Sequence, residues 1–369
     1  MRLFRAVLCC VLILFVASIL NAQTAPICDS GGVCGPNPTD PSYSGAGGIV
    51  AARPQVQNAR GTRNAMVAMW AGPDVVPRPI GSQSYNKAIP ILSLPGRGLN
   101  LNLTLYYNSR IWTLDTAANS IAFNADRDFP SYGFRLDFGY LEYDSADAQM
   151  ILTESDGTKH SMPLHANITG GSLYDSNDGT FIEYNSATSI LSYKNGTMVT
   201  YQPFPSASTL FRPIQIMDTN RNFITITYVA GNGNDQHINT ITDTLQRVIH
   251  FNYNAQHQLT SITQAVSTTT DPSGTHTWAT FNWSSTTLAF QFASTLSVVG
   301  SPTNGSPINI LTGCTYPNQT SYQFSYGAWG IVNRIDLLSA PGTNGTATRS
   351  YESYNFPGTS VALNDAPAY

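Results

Sequence analysis

Lysine and glutamate, the residues that usually cover helix surfaces, are nearly missing. The 369 residues hold three lysines (Lys87, Lys159, Lys194) and four glutamates (Glu142, Glu154, Glu183, Glu352). That shortage excludes a helix-rich fold. Thr, Ser, Asn, Tyr and Phe take their place, a composition that expects an all-β chain. Cysteine is also sparse, with five in all. Two of these, Cys9 and Cys10, fall in an apolar leader. The other three (Cys28, Cys34, Cys314) are too few for a disulfide scaffold, so the fold must rest on burial. "CDSGGVC" has the spacing to close a small Cys28–Cys34 disulfide loop in an oxidising compartment, and whether the two are bridged is left open. Cys314 is then unpaired and reads as a buried thiol rather than an intermolecular bridge.

No run beyond the N-terminus is long and apolar enough to span a bilayer. At the start, Arg2 and Arg5 precede an apolar stretch over residues 6–20, and "LNA" ends at Ala22. A basic start, an apolar run and a small terminal residue make a secretory signal peptide over 1–22. A secreted or cell-surface chain is expected, with no transmembrane segment after cleavage. The processed chain keeps 16 basic and 22 acidic residues, a net charge of −6. This balance argues against a nucleic-acid partner.

Residues 23–88 carry Gly, Pro and Ser punctuation, as in "GGVCGPNPTDPSYSGAGG", and are expected to be poorly ordered. "TRNAMVAMW", capped by Thr62, is a short helix candidate within them. Order is expected over 89–357, followed by a tail at 358–369. It opens with "LPGRGLNLNLTLYYNSRIW", where Leu99, Leu101, Leu103 and Leu105 share one strand face and Asn100, Asn102, Thr104 and Tyr106 the other. "SDGTKHSM", "NDGTFIEY" and "KNGTMVTY" each set Asp-Gly or Asn-Gly before a strand, as tight hairpins need. Turn signals without intervening helices favour an antiparallel meander of hairpins.

Two segments align. "DTNRNFITITY" runs over 218–228 and "DTLQRVIHFNY" over 243–253. Ile224, Ile226 and Tyr228 match Ile249, Phe251 and Tyr253 on one face. Thr225 and Thr227 match His250 and Asn252 on the other. "INTIT" and "LTSIT" follow as return strands, so the period is about 25 residues with one hairpin per copy. "YQFSYGAWGIVNRIDL", with Tyr322, Phe324 and Tyr326 alternating before Ile331 and Ile335, is a looser third copy.

These residues resemble the Rhs/YD-repeat family. Its unit begins Asp-x-x-Gly-Arg/Asn, ends a strand on Tyr and returns through Leu-x-x-Ile. Asp218, Asn222 and Tyr228 match in one copy; Asp243, Arg247, Tyr253, Leu259 and Ile262 match in the next. "LPGRGLNLNLTLYYNSRIW" resembles the segment that introduces such repeats. The resemblance implies a curved sheet or partial shell of repeated hairpins, enclosing a toxin or presenting a surface to other cells. The sequence departs from the family at Arg221 and Gln246, where the turn glycine belongs, at His257, where glycine follows the tyrosine, and at Gln264, where the next Asp belongs. Forcing a non-glycine residue to positive φ costs about 1–2 kcal/mol, whereas each buried Ile, Phe or Tyr contributes about 1.5–3 kcal/mol. The hairpins should therefore survive, with looser turns or turns of another type.

Catalytic signatures are missing too: no G-x-S-x-G, H-E-x-x-H or P-loop occurs. The histidines (His160, His165, His237, His250, His257, His276) have no ligand spacing. His250 is expected on a strand face, His237 and His257 in loops. "DSNDGT" lacks one residue of a calcium register, so Asp175 and Asp178 are read as hairpin-turn residues. "DPSGT" at 271–275 is similar to the Asp-Pro-x-Gly-Leu release element of Rhs shells but carries Thr275 for Leu. It reads as a proline-initiated turn. No catalytic, cofactor or metal residue is assigned, and no cofactor is expected. The reading is a non-enzymatic, exported structural or surface-interaction protein, in the family's terms the front part of a toxin-encapsulating shell with unknown cargo. A cell-surface glycan or protein partner is left open. Nineteen tyrosines and five tryptophans leave a carbohydrate-binding β-module as the alternative. A hydrolase with a site formed only in space comes third.

Expressed with its leader in a secreting host, the chain should be recovered from the medium beginning at or near Gln23. N-terminal mass spectrometry checks this, and a soluble cytoplasmic product retaining Met1 would contradict it.

Overall fold

A computed structural model describes residues 27–28, 34–35, 85–231, 236–266, 274–342, 347 and 349–367. The leader, nearly all of 23–88 with its helix candidate, and most of "DPSGT" lie outside them. In the N-terminal unit (residues 1–55), Ile27–Cys28 pairs antiparallel with Cys34–Gly35, and Cys28 stands opposite Cys34.

In the second unit (residues 56–369), every regular element among the described residues is a strand, as the composition implies. Seventeen strands form one antiparallel sheet that closes into a barrel at its first part. Closure is local. Tyr140–Asp144, Gln149–Thr153, Lys159–Ile168, Gly171–Asp175, Glu183–Asn185, Ile190–Ser192, Met198–Phe204 and Ala207–Met217 follow one another as neighbours. The eighth returns to the first through Leu210–Glu142 and Phe211–Leu141. Ala207–Met217 divides its outer edge. Its first half pairs with Tyr140–Asp144, while Gln215, Ile216 and Met217 pair with Phe223–Tyr228. The chain thus leaves the ring and continues as an open array: Ile238–Thr242, Val248–Tyr253, Leu259–Ala265, Thr275–Thr287, Pro307–Thr315, Ser321–Tyr326, Val332–Leu338 and Arg349–Ser353.

The ring is filled by its own side chains, among them Leu141, Met150, Leu152, Met162, Tyr184, Leu191 and Tyr201. The open array instead has a partner layer. The hairpin Asn86–Leu94/Leu101–Asn108, extended by Phe134–Arg135, lays Leu101, Leu103 and Leu105 against Ile224, Ile226, Ile241, Ile249, Phe251, Leu259 and Ile262. Period-two alternation in both layers makes this two-sheet core. His250 and Thr227, on the opposite face, are exposed. A second, smaller core gathers around Trp112, Phe123, Leu288, Ile308 and Trp329. Phe356, Leu363 and Ala366 pack on it, so residues 356–366 lie along the body. Cys314 is fully buried, as read from sequence, and burial pushes its thiol up to about 12.

One five-residue turn recurs at 154–158, 193–197, 218–222, 243–247, 254–258, 316–320 and 327–331. In each, the first N–H donates to the fifth carbonyl and the fourth N–H to the first carbonyl. The fourth residue has positive φ: Gly157, Gly196 and Gly330 in three turns, but Arg221 (64°), Gln246 (63°), His257 (59°) and Gln319 (66°) in the others. The expectation of looser turns, or turns of another type, is therefore corrected. Glycine is lost while its conformation is kept. In three of these four turns the offset comes from the first side chain. Asp218 Oδ1 accepts from the N–H of Asn220 and Asn222, Asp243 Oδ1 from Leu245 and Arg247, and Asn254 Oδ1 from Gln256 and Gln258. Two such bonds contribute about 1–3 kcal/mol net, enough to offset about 1–2 kcal/mol for a left-handed residue.

Gln246→Gly should relieve that cost while adding disorder to the unfolded chain. The net expectation is stabilisation by about 0.5–1 kcal/mol, read as a higher urea midpoint with unchanged slope.

Candidate functional site

The residues matched between the repeat copies come together as two structural devices. The first is the turn. Asn222 Nδ2 donates to Asp218 Oδ2 at 2.8 Å, and Arg247 Nε donates to the buried Asp243 Oδ2 at 2.6 Å. First and fifth turn residues thus hold each other, which explains the Asp…Asn and Asp…Arg spacing. The "PGRG" loop docks on both turns. Arg247 Nη2 donates to Pro95 O at 2.5 Å and Arg97 N–H to Thr244 Oγ1 at 2.7 Å. A Cβ at Gly98, whose φ is +75°, would stand 2.0 Å from Asp218 Oδ2, so only glycine fits there.

The second device is the strand-ending aromatic. Tyr228 O–H donates to Pro213 O at 2.7 Å, Tyr253 O–H to Ile238 O at 2.7 Å, and Tyr326 O–H to Leu311 O at 2.6 Å. Trp283 Nε1–H donates to Leu259 O at 2.7 Å. Each aromatic sits at a bulge and pairs forward across it, with Ile238, Leu259, Val332 and Leu311 respectively. The residue facing one aromatic is thus the acceptor for the next: Ile238, Leu259 and Leu311 each play both parts. Bulges interrupt a ladder, and the aromatic donor is spent at that interruption. Burial pushes the Tyr228 and Tyr253 hydroxyls well above their ordinary range, so they stay protonated donors. Leu259 and Ile262 are fully buried beneath the hairpin. Tyr326 belongs fully to the series; Trp283, at the end of "FNW", is a copy that a search for tyrosine misses.

A different cluster was not legible in sequence. In the ring, the loops at 154–158, 176–182 and 193–197 join alternate strand pairs and so emerge at one end. They enclose a pocket of about 580 Å³ lined by Glu154, Asp156, His160, Asp178, Tyr193 and Lys194 among others. Lys159 and His160 point to opposite faces, as neighbours in a strand must. Lys159 Nζ meets the buried Asp126 Oδ1 at 2.7 Å. His160 Nδ1 meets Asp178 Oδ2 at 2.5 Å. His160 Nε2 is buried without a hydrogen-bond partner, 3.8 Å from Glu154 Oε2. Asp178 is completed by the Thr180 N–H and hydroxyl. Burial alone would lower the His160 pKa, but the attraction of Asp178 and Glu154 outweighs it and holds the ring at about 9. Burial likewise disfavours Asp178 ionisation, and the His160 and Thr180 hydrogen bonds reverse that, to about 2. Asp178 is thus a turn residue, as expected, and also the anchor of His160. The Asp-Gly at 178–179 signals the turn, while nothing in the sequence signals the partner eighteen residues away.

The other histidines behave differently. His250 is exposed on its strand, and His237 and His257 lie in loops with their rings stacked, centroids 6.3 Å apart. Burial, helped by His257, lowers the His237 pKa to about 4. Among the described residues no three His, Cys, Asp or Glu side chains converge as a metal site.

No protein-family model and no curated protein sequence matches the chain. Among solved structures, the TcdB2-TccC3 complex is similar at 11% identity and a TM-score of 0.36, over 74% of this chain and 16% of that one. The N-terminal domain of effector protein SpvB from Salmonella typhimurium strain LT2 is similar at 12% identity and a TM-score of 0.28, over 73% of this chain and 99% of that one. The chain therefore spans about one sixth of the TcdB2-TccC3 chain.

The His160–Asp178 pair has a defined pH signature. The His160 pKa is raised on folding, so its contribution is complete below the unfolded value near 6.5 and is lost as pH rises through about 9. Urea unfolding at pH 6.5 and pH 9.5 should show the wild type losing on the order of 2 kcal/mol more than His160→Gln. Equal losses would break the assignment.

Proposed function

We propose that this chain is an exported, non-enzymatic structural and surface-interaction protein of the Rhs/YD-repeat kind. The observation that carries the reading is the aromatic relay. Tyr228, Tyr253, Trp283 and Tyr326 repeat one bond in successive hairpins. The repeat residues are thereby spent on backbone: Asp218 and Asp243 on turn N–H groups, Arg247 on Asp243 and Pro95. A chain that uses its repeated polar side chains this way is a scaffold. Loss of the turn glycine does not weaken the reading, because the left-handed conformation is retained at Arg221, Gln246 and His257.

Within this reading, an interaction scaffold is favoured over an enclosing wall for residues 85–353. The apolar face that a hollow array would turn toward cargo is occupied by Leu101, Leu103 and Leu105 of the N-terminal hairpin. Contact with a partner then falls to the polar outer face, where Thr227 and His250 lie, and to the loops at the ring end.

Fluorescently labelled mature chain, titrated onto whole bacterial and cultured animal cells, should bind saturably and be displaced by unlabelled chain. It should turn over none of a panel of chromogenic glycosides, esters and peptides. Absence of saturable binding, or turnover that His160→Gln abolishes, would overturn the reading.

A further inference from the structure

We propose that the pocket at the open end of the eight-stranded ring binds a neutral saccharide, with one sugar hydroxyl seated between His160 Nε2 and Glu154 Oε2. The proposal stands on the pocket's own geometry and not on the scaffold reading. A buried nitrogen without a partner is costly, and native structures seldom leave one. Here the ring is fixed by Asp178 on Nδ1, its exposure is 6%, and Nε2 lies 3.8 Å from a carboxylate oxygen, too far for a direct bond. An oxygen set to one side of that line, about 2.8 Å from each atom, can accept from Nε2–H and donate to Oε2. A hydroxyl does both; a carboxylate cannot donate, and an ammonium cannot accept.

A second observation comes from the backbone. Phe181 is 69% exposed and holds φ at +57°, between the pocket residues Thr180 and Ile182. A bulky residue is an outlier in that conformation. Its ring is exposed, with Lys194 Nζ 5.4 Å from the centroid, a flat apolar surface beside a pocket lined by hydrogen-bonding side chains. Hexoses present one C–H face and a rim of hydroxyls, and they match that combination of aromatic surface and hydrogen-bonding edge. The volume of about 580 Å³ falls within roughly 300–1,000 Å³, the range of small-ligand sites.

Charge selects among sugars. Glu154, Asp156 and Asp178 face His160 and Lys194 in the lining, which leaves one net negative charge with His160 protonated. A uronic or sialic acid would bring a carboxylate against three others. A metal ion or an ammonium cannot accept from the Nε2–H of His160. A neutral sugar meets neither penalty, and Asn195, Thr158 and Thr180 supply further hydroxyl partners.

The test uses the mature chain on an array of neutral, amino and uronic mono- to tetrasaccharides, followed by calorimetric titration of the best neutral ligand. Binding confined to neutral sugars is expected. Glu154→Gln and Phe181→Ala should each weaken it about tenfold or more. Phe181 lies outside the core, so Phe181→Ala should keep the wild-type urea midpoint to within a small shift, whereas Glu154→Gln removes part of the attraction on His160 and should lower the midpoint modestly while the chain stays folded. His160→Gln should weaken binding at least as much. Absence of saccharide binding, preference for acidic sugars, or affinity unchanged in both Glu154→Gln and Phe181→Ala would overturn the proposal.

Discussion

An open antiparallel array of hairpins must stay in register where each bulge breaks its ladder, and one bond does this here. At four of the array's bulges an aromatic donor reaches back to a backbone carbonyl of the preceding strand. Because the residue facing one aromatic is the acceptor for the next, the locks are coupled rather than independent. A slip of one residue would turn Ile249 and Phe251 outward and break two of these bonds at once. Register is thereby specified twice, by burial and by the relay.

Such an array still has an apolar face to cover. The Asn86–Asn108 hairpin does so and is tied at both ends. At the "PGRG" loop it is hydrogen-bonded to the turn at 243–247, and Gly98 packs closely on Asp218 of the turn at 218–222. At the other end Lys87 pairs with Glu352, 2.5 Å away, Tyr85 O–H donates to the same carboxylate, and the Tyr85 and Tyr354 rings stack. The hairpin therefore runs from the first full repeats to the last strand. The ring is fixed separately, where Lys159 and Asp126 form a buried pair on the strand face opposite His160.

Much of this architecture is legible in the sequence, for definite reasons. Alternation at Leu101, Leu103 and Leu105 and the paired Asp…Tyr segments report period, and period survives into the strand. The turns are legible only in part. Asp-Gly and Asn-Gly announce 154–158 and 193–197, whereas Arg221, Gln246 and His257 hide the same conformation because the offsetting bonds come from side chains three residues earlier. Trp283 hides a repeat because the lock needs a donor at a given reach, not a tyrosine. The His160 pocket was out of reach altogether. It depends on ring closure between Leu210 and Glu142, and no local pattern encodes that pairing.

The strand Ala207–Met217, shared between ring and array, has a dynamic consequence. Its amides are held on one side by Met198–Phe204 and on the other by two different elements in succession. Opening either body as a unit strips one side of this strand. Ring and array should therefore open together in hydrogen exchange, with the stretches around Phe211 and around Gln215 and Ile216, which are paired on both sides, exchanging more slowly than the changeover at 212–214, whose outer edge is unpaired.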